Sequence, residues 1–307
     1  MRIAVPDLIS NSYFPAIAAV ELGFFQAEGL DTELQLLFPV PETMQALRHG
    51  ELDFVAGAAH ATLAAFPNWQ GAKLLLALAQ HMYWLLVLRA DLQAQRGDLQ
   101  AVKGLRIGAA PGPDAGLRRL LAEAGIDPVR DRVHIGPVPA VSGAGVSFGV
   151  TAARALEAGT LDGFWANAMG AEVAVQRGVG TVVLDVRRGD GPPAARGYTF
   201  PALVTTEQYM TQEPESVAAA MRAIVKTQRA LRDRPELATA VGRRLFPEAE
   251  AALIAELIQR DLPYYDPGIS IESITSLNRF AQDVGLLAAP VPYTQVVATD
   301  FISLWSA

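Results

Sequence analysis

The chain has 307 residues, of which 51% are apolar and 19% are charged, and its formal net charge is −7. This length allows two compact units, each large enough to bury a core of its own. An acidic chain without a run of lysine and arginine has no basic face that could displace counterions, so nucleic acid is excluded as an expected partner.

Cysteine is absent from the sequence, which excludes disulfides, thiolate metal sites and a cysteine nucleophile. The four histidines, His49, His60, His81 and His134, do not have the spacing of a metal site. The glycines do not form a phosphate-binding loop. We therefore expect no metal and no cofactor.

In the first part of the chain, short apolar runs alternate with helical stretches, a pattern typical of an open, largely parallel α/β sheet. Strands are predicted over residues 2–5, 31–37, 52–56, 73–79 and 84–89, and helices over residues 13–22, 39–50 and 58–66. The last two strands form the most apolar stretch, which Gln80 and His81 interrupt. A membrane helix needs roughly 18 consecutive apolar residues, so this stretch predicts buried strands instead.

A polar connector over residues 93–102 precedes a second series of strands and helices. Strands are predicted over residues 106–109, 133–135, 163–165 and 181–186, with helices over residues 113–124 and 152–158 and a loop over residues 187–197. A strand over residues 199–205 then returns to the first part, and helices follow over residues 217–231, 235–245 and 248–261.

These two series predict an α/β fold with two lobes and a hinge of two crossovers, near Arg89 and near Thr199. The first lobe is expected to be discontinuous, with residues 1–91 and 199–307, and the second lobe to hold residues 92–198.

Several short motifs occur in one order along the chain: ELGFF at 21–25, EGLD at 28–31, GELDF at 50–54, VKGLRIG at 102–108 and LDG at 161–163. This ordered set resembles the NMT1/THI5-like and SsuA/TauA-like solute-binding proteins of ABC-type importers. The resemblance implies a type II periplasmic-binding-protein fold and a small-molecule solute, a class that in this family includes sulfonates, nitrate, taurine and pyrimidine precursors. It also implies a transporter permease as partner, and we expect a monomer.

The resemblance places the ligand in a cleft between the lobes. The same placement follows for open α/β sheets, where ligands lie beyond the carboxyl ends of the strands. The expected ligand-binding residues are Ser10, Asn11, Ser12, Tyr13, His60, His81, Tyr83, Asp114, Trp165, Asn167, Arg187 and Tyr198.

Each of these residues also has a purely structural interpretation. Asn11 or Ser12 can cap the first helix, His60 can belong to a helix start, and His81 can be a core histidine with satisfied hydrogen bonds. Asp114 can serve as a helix cap; if it faces the ligand instead, it favours an amine or amide donor.

In the second series, Trp165 and Asn167 follow an apolar strand, where an aromatic ring and an amide suit a flat solute. Core packing is the alternative for Trp165. Arg187 can hold a carboxylate through two hydrogen bonds or can lie exposed in a loop, and Tyr198 lies near the return crossover.

Two classes of function compete. The first is a binding protein that captures a small organic solute, aromatic or heteroaromatic, and has no catalytic residue. The second is an intracellular enzyme on the same fold, decarboxylase-like or hydrolytic, or a relative from thiamine-pyrimidine synthesis. The desulfinase chemistry of some family relatives depends on a cysteine, so we do not expect it here.

The first predicted strand already begins at residue 2, and the residues there do not have the pattern of a signal peptide. The sequence therefore leaves two locations open: the periplasm, with an export signal outside this sequence, or the cytoplasm.

Overall fold

The computed structural model describes residues 1–139 and 147–306. Its strands are β1 (Arg2–Val5), β2 (Glu33–Leu36), β3 (Phe54–Ala58), β4 (Ala72–Ala77), β5 (Leu85–Arg89), β6 (Arg106–Ala109), β7 (His134–Gly136), β8 (Gly163–Ala166), β9 (Gly180–Asp185) and β10 (Pro201–Thr206).

The α-helices are α1 (Phe14–Glu21), α2 (Phe24–Ala27), α3 (Val40–Arg48), α4 (Pro113–Glu123), α5 (Phe148–Glu157), α6 (Ala168–Gln176), α7 (Glu207–Gln212), α8 (Pro214–Asp233), α9 (Leu237–Leu245), α10 (Glu248–Asp261), α11 (Ile271–Asp283) and α12 (Tyr293–Val296). Of the described helices, none is both long enough and apolar enough to cross a membrane.

The chain divides into two compact units, the first with residues 1–81 and 199–307 and the second with residues 82–198. The chain therefore passes from one unit to the other twice. The first passage comes ten residues before the expected boundary at residue 91, because β5 pairs with β8 and β9 of the second unit. The apolar sequence of β5 predicts a buried strand, but it does not show which sheet the strand joins.

The first unit holds a five-stranded sheet in the order β2-β1-β3-β10-β4. Strand β1 is parallel to β2 and β3, whereas β10 is antiparallel to both β3 and β4. The carboxyl ends of β1 to β4 therefore lie at one edge of the sheet, together with the start of β10. We call this edge the first binding edge.

The second unit holds a five-stranded sheet in the order β7-β6-β8-β5-β9. Strand β6 is parallel to β7 and β8, and β5 is antiparallel to β8 and β9. The carboxyl ends of β6, β7, β8 and β9 thus lie beside the start of β5. We call this edge the second binding edge.

Strands β4 and β5 are buried on both faces, as their continuous apolar sequences predict. Leu74 to Leu76 in β4 and Leu86 to Leu88 in β5 have no exposed surface. Helix α8 covers the first unit with one apolar face, which includes Val217, Met221 and Ile224.

Several elements differ from the sequence-based expectations, among them the short helices α2 and α7, which were not predicted. Residues 59–64 form a 3-10 helix instead of an α-helix. Helices α6 and α11 were not predicted; α6 has many small apolar residues, so its two faces contrast little.

Asp162 joins the starts of β6 and β8 in the second unit. Its carboxylate accepts hydrogen bonds from Arg106 Nε at 2.9 Å and Arg106 Nη2 at 3.0 Å, and also from the backbone N–H of Arg106 at 2.9 Å. The side-chain hydrogen bonds from Arg106 lower the pKa of Asp162 to about 2. The ionised form is therefore the one that stabilises this corner of the sheet.

We expect Asp162→Asn to lower the free energy of unfolding by about 2 kcal/mol at neutral pH, because hydrogen bonds to a charged group are lost. A carboxylate whose pKa is lowered by folding stabilises the folded protein fully at a pH above its ordinary pKa. This stabilisation is lost as the pH falls through the folded-state pKa. The difference between wild type and variant should therefore shrink as pH falls from about 4 toward 2, measured by urea unfolding across this range.

Asp91→Asn is the matched control, since Asp91 also pairs with an arginine, Arg89, at 3.1 Å, but its side chain is 70% exposed. An exposed pair contributes little, so this variant should unfold like the wild type. A stability difference for Asp162→Asn that did not vary with pH would contradict the assigned role of the carboxylate.

Candidate functional site

The first binding edge collects polar residues from distant parts of the sequence. The loop over residues 6–13 follows β1, His60 comes two residues after β3, and Thr199 comes two residues before β10. Because Pro201 of β10 pairs with Ala58 of β3, His60 and Thr199 lie next to each other. The backbone N–H of Ala59 also donates to the carbonyl of Phe200 at 2.9 Å.

The loop from Ser10 to Tyr13 leads into α1 and is buried throughout. The hydroxyl of Ser10 accepts a hydrogen bond from the backbone N–H of Ser12 at 3.1 Å. The Ser12 hydroxyl is itself buried and has no hydrogen-bond partner among the described residues. Tyr13 occupies the N-cap position of α1 and makes no side-chain cap hydrogen bond.

The cap role considered for Asn11 or Ser12 is therefore not what the structure shows, because Tyr13 occupies that position. The Asn11 amide donates instead to the carboxylate of Asp261 at 2.6 Å. Asp261 is buried at the end of α10. Asp261 is not among the ligand-binding residues expected from the sequence, because it lies 250 residues from Asn11 and no local pattern marks it.

His60 is buried against Thr199, which the sequence analysis also did not select. The Thr199 hydroxyl lies 3.0 Å from His60 Nδ1 and accepts a hydrogen bond from the His60 backbone N–H at 3.3 Å. The tautomer of the imidazole decides which of the two groups donates in this contact. The ring also packs edge-on against Phe280, with centroids 5.4 Å apart.

His81 is the last residue of the first unit and has a left-handed backbone conformation, with φ of 66°. Its ring lies edge-on to Tyr264, with centroids 6.2 Å apart. The side chain is half-buried, and a structural role for this histidine stays open. Ligand contact stays a prediction.

The second binding edge is set by the register of β5. Leu85 pairs with Ala166 on one side and with Asp185 on the other. The residues just outside these pairs, Tyr83 and Trp84 before β5, Asn167 after β8 and Arg187 after β9, therefore lie at the same edge.

Arg187 is 4% exposed, although it lies in a short 3-10 turn where an exposed arginine is common. Its Cζ atom lies 5.8 Å from the centroid of the Tyr83 ring, a cation–π distance. The Tyr83 ring packs in turn on Trp84, with centroids 4.8 Å apart. The alternative of a loop arginine in solvent is thus wrong, whereas its contact with a solute stays a prediction.

Trp165 has no exposed surface. Its indole N–H donates to the carbonyl of Pro113 at 3.2 Å, and its ring packs on Trp84 at 6.2 Å. Core packing is therefore what the structure shows for Trp165. Stacking on a solute stays a prediction, as does a solute contact of Tyr198, which is buried before the return to the first unit.

Asp114 lies in the first turn of α4, after the N-cap residue Gly112, so its expected cap position is wrong. Its carboxylate accepts from the Gly112 backbone N–H at 3.1 Å and from Arg118 Nε at 3.1 Å. Both oxygens are used within the helix start. The reason for expecting an amine ligand is therefore weaker.

Helices α5 and α6 begin side by side in the second unit. A Cβ atom on Gly170 of α6 would lie 2.5–2.6 Å from the backbone of Gly149 in α5, so only glycine allows this approach. Ser147 and Asn167 are the two N-caps, and their side chains accept from Val150 and Gly170 backbone N–H groups. Two helix N-termini together create a positive potential that favours an anion.

Within residues 1–139 and 147–306, no group of histidine and carboxylate side chains is arranged to hold a metal ion. What the described residues offer is buried hydrogen-bonding groups on the first edge, and on the second a buried guanidinium with aromatic rings. Each of these two sets of groups is of a kind found in small-molecule binding sites.

The model of the NMT1-like family matches residues 9–245, about three-quarters of the chain. No curated protein matches the sequence significantly.

Solved structures share the fold at low sequence identity. A protein from Bordetella bronchiseptica RB50 is 20% identical, with a TM-score of 0.78 over 99% of this chain and 96% of that one. The alkanesulfonate-binding protein SsuA from Xanthomonas axonopodis pv. citri, bound to MOPS, is 16% identical, with a TM-score of 0.68 over 98% and 96%. The desulfurization enzyme DszB is 16% identical, with a TM-score of 0.64 over 99% and 98%.

These similarities confirm the predicted α/β fold of type II periplasmic binding proteins. At these identities the solved structures show the fold alone, since one of them is an enzyme and another a binding protein. The matched family model covers most of both units, and so the chain belongs to the NMT1-like family.

Proposed function

We propose that this protein is the solute-binding protein of an ABC-type importer and that its solute is a small aromatic or heteroaromatic acid. The observation that carries the proposal is the Ser12 hydroxyl, which is buried at the first binding edge without a hydrogen-bond partner among the described residues. Burying an unpartnered hydroxyl costs stability. A solute that supplies the missing hydrogen-bond partner would remove this cost.

The second binding edge supports an acid as the solute. A guanidinium stays charged at any physiological pH, and Arg187 is almost wholly buried beside the Tyr83 ring. The paired starts of α5 and α6 add further positive potential. A carboxylate on an aromatic ring matches both the charge and the flat apolar surroundings.

Binding without chemistry is favoured by the surroundings of His60. Its Nδ1 atom faces the Thr199 hydroxyl at 3.0 Å, and its ring packs against Phe280. This arrangement orients the ring as a hydrogen-bonding group. The likeness to DszB keeps an enzyme in consideration, and a turnover measurement separates the two functions.

As part of an importer, the protein would act in the periplasm and deliver its solute to a permease. A monomer suffices for this role. Similar solved structures include periplasmic sulfonate- and nitrate-binding proteins, and this likeness supports the proposal.

The test starts with native mass spectrometry of the purified protein, which identifies a co-purified solute, followed by calorimetry with that solute. We expect Ser12→Ala to weaken binding about fivefold, the effect of one hydrogen bond. The same variant should leave the solute-free protein equally stable or more stable, because an unpartnered buried hydroxyl is removed.

Ser216→Ala is the control, since the Ser216 hydroxyl bonds to Glu213 on the surface of α8. Ser216→Ala should change neither the affinity for the solute nor the stability of the solute-free protein. Unchanged affinity in Ser12→Ala, or a Ser12→Ala protein that is less stable without solute, would overturn the role given to Ser12.

A further inference from the structure

The first unit contains a cavity of about 390 Å³ that uses none of the residues of the first binding edge. It lies against the carboxyl-terminal half of α8 and the segment over residues 263–267. Trp305 forms one wall, and Arg229, Arg232 and Asp266 contribute charges. We call it the α8 cavity.

Two cations in the α8 cavity are held in place. Arg229 Nη2 donates to the carbonyl of Ser306 at 2.9 Å, and Arg232 Nη2 donates to the carbonyl of Tyr265. Each guanidinium has five N–H groups, so most of its donors remain available. Both arginines are exposed, and the hydrogen bonds limit the conformations open to their side chains, so binding an anion costs less additional side-chain entropy.

Asp266 places a carboxylate in the same cavity. Its Oδ1 atom accepts a hydrogen bond from the backbone N–H of Gly268 at 2.8 Å. Neither Arg229 nor Arg232 forms an ion pair with Asp266 or with any other described carboxylate. Opposite charges thus share one cavity without neutralising each other directly.

Trp305, Pro263 and Pro267 form an apolar part of a lining that is otherwise largely polar. The Trp305 indole N–H donates to the carbonyl of Leu75 at 2.9 Å, which sets the ring orientation, and Pro263 and Pro267 line the same space. The volume lies in the range of small-molecule pockets.

We propose that the α8 cavity binds a free α-amino acid, with its carboxylate on Arg229 and Arg232, its ammonium on Asp266 and its side chain on Trp305. A zwitterion supplies one negative charge for the two guanidinium groups and one positive charge for the Asp266 carboxylate. This site is separate from the proposed solute site, so either proposal can fail without the other.

The test uses wild-type protein labelled with 5-fluorotryptophan, with the Trp305 resonance assigned through Trp305→Phe. Titration with L-leucine should shift that resonance saturably. Two analogues with one charge each, 4-methylpentanoate and isopentylamine, should bind at least tenfold more weakly. Asp266→Asn should weaken leucine binding while its Oδ1 atom still accepts from Gly268.

Arg229→Gln/Arg232→Gln should abolish the saturable shift. The matched control is Arg243→Gln/Arg279→Gln, which removes the same charge from exposed arginines outside the cavity and should bind leucine like the wild type. Circular dichroism checks that each variant is folded. A linear shift, an equal shift in the Arg229→Gln/Arg232→Gln protein, or equal binding of either analogue would overturn the proposal.

Discussion

Alanine at position 170 should lower the free energy of unfolding by about 3 kcal/mol, the upper part of the usual range for overpacking. The added Cβ would lie 2.5 Å from the carbonyl oxygen of Gly149 and 2.6 Å from its carbonyl carbon and Cα. These are backbone atoms, which cannot rotate away as a flexible side chain does. Helices α5 and α6 would have to separate where both begin, and urea unfolding measures the cost.

Gly136→Ala is the control in the same unit. A Cβ at Gly136 meets no atom within 4 Å, and β7 gives it an ordinary strand conformation. This variant should unfold within about 0.5 kcal/mol of the wild type. If Gly170→Ala were as stable as the wild type, this result would contradict the close contact between the starts of α5 and α6.

Replacing Arg187 with glutamine should weaken solute binding by about 2 kcal/mol, roughly thirtyfold. The guanidinium is buried beside Tyr83 at the second binding edge. Glutamine keeps much of the length of the side chain and some hydrogen-bonding ability, but it removes the charge that would pair with a carboxylate. Calorimetry with the co-purified solute measures the loss.

Arg188→Gln is the neighbouring control with the same change of charge. Arg188 pairs with Asp185 at 3.2 Å, and its side chain is 38% exposed. It should bind the solute within about twofold of the wild type, since exposed pairs contribute little. Equal losses in the two variants would indicate a general electrostatic effect and would contradict a specific contact at Arg187.

The alternation of apolar runs and helices predicted both sheets, because most strands are buried and each helix begins near a proline, glycine or capping residue. It did not predict that β5 joins the second sheet, since that choice depends on pairing with β8 and β9. Helix α6 was missed because its small residues, including Gly170, serve a close helix contact that leaves little amphipathic pattern.

The candidate site could be predicted in part. Ser12 and Arg187 were selected because they lie in segments that follow strands, where ligands of open α/β sheets bind, and their contact with a solute stays a prediction. Asp261 and Thr199 were missed because each acts through a partner distant in sequence, Asn11 and His60 respectively. Such pairs arise from the fold, and one sequence carries no local pattern for them.

The central claim is that the protein binds its solute without changing it. A binding protein needs only a difference in affinity between conformations, whereas an enzyme must place an acid, base or nucleophile within reach of the reacting atom. The direct measurement is to incubate the protein with its co-purified solute and to follow the mass of the solute over hours. The proposed function predicts an unchanged mass, and steady turnover that disappears in His60→Ala would contradict it.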